Sequence, residues 1–96
     1  MKNDVQFVYD PEKNLLLKKQ RGINFEDVIT AIEQGHLLDV KPHHNSEKYT
    51  QQDILVVEIN DYVYLIPCIQ QGNELVLKTV YPSRKATASY LEKGEK

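Results

Sequence analysis

The chain has no tryptophan, one cysteine, one methionine and no strong charge excess. A lone Cys68 cannot form an intrachain disulfide, and a thiol inside an apolar run reads as a buried one. No apolar run approaches the roughly 20 residues that cross a bilayer as a helix, so no membrane partner is expected. The opening Met-Lys-Asn-Asp-Val-Gln lacks the apolar core of a signal peptide, and the expected compartment is the cytoplasm. Repeats and low-complexity segments are absent. Twelve basic residues against fourteen acidic ones give a net charge of −2. That balance argues against general affinity for nucleic acid, which rests on neutralising phosphates, but it permits a local basic face.

What is present is enough for one globular domain. The 96 residues are 41% hydrophobic and 27% charged, and a domain of this size supports a single core. Residues 5–9 read as a short strand. Asp10-Pro11-Glu12 then reads as a helix start: a capping side chain, a proline whose missing N–H costs nothing in the first turn, and an acid at the positive dipole end. This helix extends to about Arg21, with Gly22 as its stop and Leu15 and Leu16 toward the core. Leu15-Leu16-Leu17 also suits a strand pair, so residues 12–21 are open between the two on pattern alone. Asn24 caps a second helix ending at Gly35. Its Phe25, Val28, Ile29 and Ile32 make one buried stripe.

The rest reads as strands. Residues 36–40 form a strand broken by Pro42, and residues 43–52 form a polar loop. Residues 54–59, 62–69 and 74–81 follow, linked by turns at Asn60-Asp61 and Gln71-Gly72-Asn73. Pro67 suggests an edge, a bulge or a bend. Ser83 caps a terminal helix reaching about Glu92, and residues 93–96 fray. The expected fold is α+β: an N-terminal strand, a helical hairpin packed on a twisted antiparallel four-stranded meander, and a C-terminal helix. Ile54, Val56, Leu75 and Leu77 should line the face under the helices.

Three blocks of this sequence resemble a known family. Phe7-Val8-Tyr9-Asp10-Pro11-Glu12-Lys13-Asn14, Arg21-Gly22-Ile23-Asn24-Phe25-Glu26-Asp27-Val28 and Ser83-Arg84-Lys85-Ala86-Thr87 occur in the order and spacing of the BrnT family, ribonuclease toxins of bacterial type II toxin–antitoxin systems. The resemblance spans about residues 5–91. It implies a RelE-like fold, cytoplasmic RNA cleavage without metal or cofactor, and neutralisation by a cognate antitoxin protein. The sequence departs from the family where Arg21 stands in place of a histidine, and where Pro82 precedes Ser83 at the strand exit. Arginine keeps the charge but does not act as a base near neutral pH.

Metal-independent RNA cleavage needs an acid–base group and cations for the pentavalent phosphorane. Arg84 and Lys85, delivered at a strand exit, are the first cation candidates, and Lys48 is the third. His43 and His44 are the acid–base candidates, although neighbouring histidines in a polar loop are commonly just solvated. Lys18, Lys19, Arg21 and Lys78 could track an RNA backbone. The first three also complement the dipole at their helix end, which accounts for them without RNA. Tyr49 and Tyr81 are candidate base platforms, as are Tyr62 and Tyr64. The histidine spacing and the lone cysteine do not suit a metal site. A competing reading is a non-catalytic module of the same fold that binds RNA or a protein partner, favoured by the net acidity and Arg21. A homo-oligomer pairing through a sheet edge near Pro67 is a third.

Overall fold

A computed structural model describes residues 5–42 and 52–92. These residues form a mixed α+β domain of three helices and six strands. The elements are β1 (Gln6–Val8), α1 (Pro11–Arg21), α2 (Phe25–Glu33), β2 (Leu37–Pro42), β3 (Gln52–Ile59), β4 (Tyr62–Gln71), β5 (Glu74–Leu77), β6 (Tyr81–Pro82) and α3 (Arg84–Thr87). The last helix continues into a π turn, Ala88–Glu92. The sheet order is β1-β5-β4-β3-β2, with β6 beside β4.

The helical hairpin forms where its caps predict. Asp10 accepts from the Glu12 N–H at 2.9 Å, and Pro11 occupies the first turn. α1 is therefore a helix. Gly22 ends it at φ 70°, donating its N–H to the Lys18 carbonyl. Asn24 and Asp27 form a reciprocal capping box at 3.0 and 3.1 Å. Asn14 accepts from the Phe25 N–H at 2.7 Å, which ties α1 to the start of α2. That bond turns the Asn14–Leu17 face inward. Leu17 is buried, whereas Leu15 and Leu16 are 61% and 54% exposed, contrary to the expectation for this triplet.

The strands depart from the simple meander. β2, β3, β4 and β5 pair antiparallel in sequence order, but β1 adds a parallel strand outside β5. The expected last strand, residues 74–81, splits into β5 and β6, so the sheet has six strands. Pro67 lies at the split. It pairs with Ile54 on one side, and its carbonyl accepts from the Lys78 N–H at 2.8 Å on the other. The nitrogen of a strand residue faces the same way as its carbonyl, so the missing N–H of Pro67 falls in the gap between β5 and β6. Pro67 is thus interior, and the five-strand path ends at β1 and β2. The Asn60-Asp61 turn has φ of 55° and 65°, the left-handed pair of a two-residue hairpin.

Helices cover both faces of the sheet. On the hairpin face Leu55, Val57, Ile66, Cys68 and Leu77 meet Phe25, Val28 and Leu17. Ile54 and Val56 have the opposite parity and lie under α3 and the π turn. The expected facing of Leu75 and Leu77 holds, but that of Ile54 and Val56 is reversed. Alternation fixes the pairing of side chains to faces but not which face meets which helix. Each fully buried aliphatic or aromatic side chain adds about 1.5–3 kcal/mol, so the hairpin face carries most of the apolar stabilisation.

Candidate functional site

The C-terminal helix is fastened to β4 by polar bonds. Ser83 caps α3, accepting from the Ala86 N–H at 3.0 Å. The Val63 carbonyl accepts from the Ser83 N–H at 3.0 Å, and the Val63 N–H donates to the Thr87 hydroxyl at 2.9 Å. That hydroxyl in turn donates to the Ser83 carbonyl at 2.8 Å. The buried Thr87 therefore stands in for a missing neighbouring strand. Its neighbours on the same helical face, Ser83, Ala86 and Tyr90, form one wall of a groove.

The floor of this groove is Ile54, Val56 and Leu65, and its opposite wall is Lys41 and Pro42. Its volume is about 370 Å³, within the range of small-molecule sites. A bulge in β2 supplies Lys41. Leu37 pairs with Val57, yet Asp39 pairs with Val56, so Leu38 is an extra residue. The slip keeps Leu37 and Val40 on the hairpin face and puts Asp39 and Lys41 on the back face. There the Tyr90 hydroxyl donates to Asp39 at 2.7 Å, and the Lys41 ammonium lies 5.5 Å from the centre of the Tyr90 ring. The Tyr90 bond, with the Val40 N–H and Lys41, holds the Asp39 carboxyl below its ordinary pKa. Asp39 thus remains a carboxylate that orients Tyr90, and a lowered pKa makes it a weak base.

The sequence-derived candidates fall in different places. Lys85 lines the groove, while Arg84, also exposed, is outside it. Consecutive helical residues point about 100° apart, which accounts for the separation. Tyr81 is half-buried in β6, opposite Leu65. Lys78 is exposed between β5 and β6. Lys18, Lys19 and Arg21 end α1 on the other side of the sheet, so the N- and C-terminal cation groups do not form one surface. His43, His44, Lys48 and Tyr49 lie outside the described residues.

Arg21 lines a second, polar pocket of about 490 Å³ with Asp27, His36, Glu58 and Tyr64. The end of α2 sets His36 there. Gly35, at φ 91°, donates to the Ile32 carbonyl at 3.0 Å, and the His36 N–H donates to the Ala31 carbonyl at 2.9 Å. The His36 carbonyl then accepts from the Glu58 N–H at 3.0 Å, handing the chain to the sheet. Asp27 is already engaged in the capping box, and strand alternation sends the Glu58 side chain toward the back face. Arg21 thus brings a cation and His36 an imidazole to this pocket.

The back-face groove is the better-defined site. Two ammonium groups flank an apolar floor, and one of them sits beside a fixed aromatic ring. That combination suits a flat ring carrying a phosphate, the chemistry of a nucleotide. Lys41, Asp39 and Tyr90 are not among the sequence-derived candidates. Tyr90 was detectable, since residues 83, 86 and 90 recur at helical spacing, but Lys41 depended on a bulge. No protein-family model, curated protein or solved structure matches this chain.

Proposed function

We propose that the chain is the toxin of a bacterial toxin–antitoxin pair, with a RelE-like arrangement, and that it cleaves RNA without a metal ion. The observation that carries this reading is the meeting of Lys41 and Lys85 in one groove beside Tyr90, together with the resemblance of the Ser83–Thr87 block. In this reading an RNA base rests on the apolar floor and the scissile phosphate lies between the ammonium groups. His43 or His44, which follow Pro42 in the chain, takes the proton of the 2′-hydroxyl. The 2′-oxygen attacks phosphorus, the bond to the 5′-oxygen breaks, and that oxygen takes a proton as it leaves. The lysines stabilise the extra negative charge of the pentavalent species. A cognate antitoxin is the protein partner in this reading.

Purified protein incubated with RNA in chelator should give 2′,3′-cyclic phosphate and 5′-hydroxyl ends. Lys85→Ala should slow cleavage by about 10²–10³-fold, the usual scale for one preorganised charge donor. Arg84→Ala, off the groove, should slow it far less. Intact RNA at high protein concentration would overturn the enzymatic reading. A second reading, RNA binding without cleavage, is favoured by one observation: among the described residues the groove has no histidine or carboxylate in its lining. Salt-sensitive binding of intact RNA, weakened by Lys41→Ala and Lys85→Ala, would select it.

A further inference from the structure

Among the described residues the hairpin face is incompletely covered. Beyond the end of α2 a trough of about 570 Å³ crosses five of the six strands, from β1 to β2. Its apolar lining includes Phe7, Leu55 and Leu75, continuous with the surface on which α2 packs. At its rims Val5, Leu37 and Val40 are 45%, 38% and 50% exposed. The β2 bulge turns both Leu37 and Val40 into the trough, where unbroken alternation after Leu37 would have put Asp39 and Lys41 there and left Val40 facing the back. Among the described residues the two ionisable carboxyl side chains in the lining are Glu33 and Asp53, and no lysine, arginine or histidine of those residues lines it.

We infer that this trough docks an amphipathic helix of another protein, its apolar stripe on the sheet and its flanking lysines or arginines against Glu33 and Asp53. Four interstrand spacings of about 4.8 Å make the trough about 19 Å long, room for about 13 helical residues. A helix suits this surface because α2 already occupies its neighbouring part, whereas an added strand would pair at an edge and leave the face bare. The two acids select a basic partner. A second copy of this chain, docked trough to trough about a twofold axis, would bring the same acidic lining and no basic side chain from the described lining to Glu33 and Asp53. The inference is independent of RNA cleavage, because the trough and the Lys85 groove lie on opposite faces.

The test uses the full chain and a synthetic helix of about 15 residues with a leucine stripe flanked by lysines. Anisotropy of a labelled peptide and far-UV circular dichroism follow binding. Saturable binding with a gain of helical signal is expected, together with loss of about tenfold or more in affinity in Val40→Arg. That position is exposed on an edge strand, so an unchanged urea midpoint should show that the variant folds. The double variant Glu33→Gln/Asp53→Asn should weaken binding about threefold or more. Replacing the peptide lysines by glutamates should have the larger effect in the same direction. Equal binding of a scrambled peptide, indifference to Val40→Arg, or a dimer of the chain that Val40→Arg dissociates would each overturn the inference.

Discussion

The two faces of one sheet are held to their helices by different physics. On the hairpin face, apolar side chains with Phe25 at their centre are closed from water. On the back face, α3 is four residues long and is fixed by the Ser83, Val63 and Thr87 bonds as much as by contact. A helix that short has no stability of its own. The contrast shows how a small domain can devote one face to folding and keep on the other an open groove with cations at its walls. Polar anchoring adds to the burial of Val56 and Val63 on this face, so the groove beside them need not be filled.

Substitutions separate the two kinds of attachment. Phe25→Ala should be the most damaging, at about 3–5 kcal/mol in urea unfolding, because it empties the centre of the hairpin core and removes the ring stacked 5.1 Å from Tyr9. Leu17→Ala should follow, at about 2–4 kcal/mol. Leu15→Gln and Leu16→Gln should stay within about 0.5 kcal/mol, because these side chains meet solvent. Thr87→Val should cost about 1–3 kcal/mol, since it keeps the shape but strands the buried Val63 N–H. Proteolysis near α3 should rise in Thr87→Val more than in Leu17→Ala. Equal effects of both on α3 would mean that the two faces do not differ in the way described.

Those residues also mark what the sequence could reveal. Local chemistry was legible: Asp10, Asn24 and Ser83 cap the helices they were expected to cap, and Asn60-Asp61 makes the hairpin turn. Features set by distant partners were not. The inward face of α1 is chosen by the Asn14 bond to Phe25, eleven residues away, and a run of three leucines carries no sign of it. The parity of β3 depends on which helix layer each face meets. β1 lies beside β5 because the chain crosses the molecule, and nothing in residues 6–8 specifies that neighbour. Lys85 was legible as a strand-exit cation, but its partner Lys41 reaches the groove only through the extra residue Leu38.

Acid titration tests the Tyr90–Asp39 contact on the back face. The Tyr90 hydroxyl is the largest cause of the lowered Asp39 pKa, ahead of the Val40 N–H. An Asp favoured as carboxylate in the folded state adds stability above its unfolded pKa of about 3.9, and that contribution disappears as pH falls through the folded value. Tyr90→Phe should therefore leave folding near pH 7 slightly weaker and flatten part of the loss of stability below about pH 4. Carbon-detected titration of the Asp39 carboxyl should show its midpoint rising toward the ordinary value in Tyr90→Phe, with part of the shift retained through Val40 and Lys41. A midpoint unmoved by the substitution would mean that Asp39 does not hold Tyr90, and the ring beside Lys41 would then lose its fixed place in the groove wall.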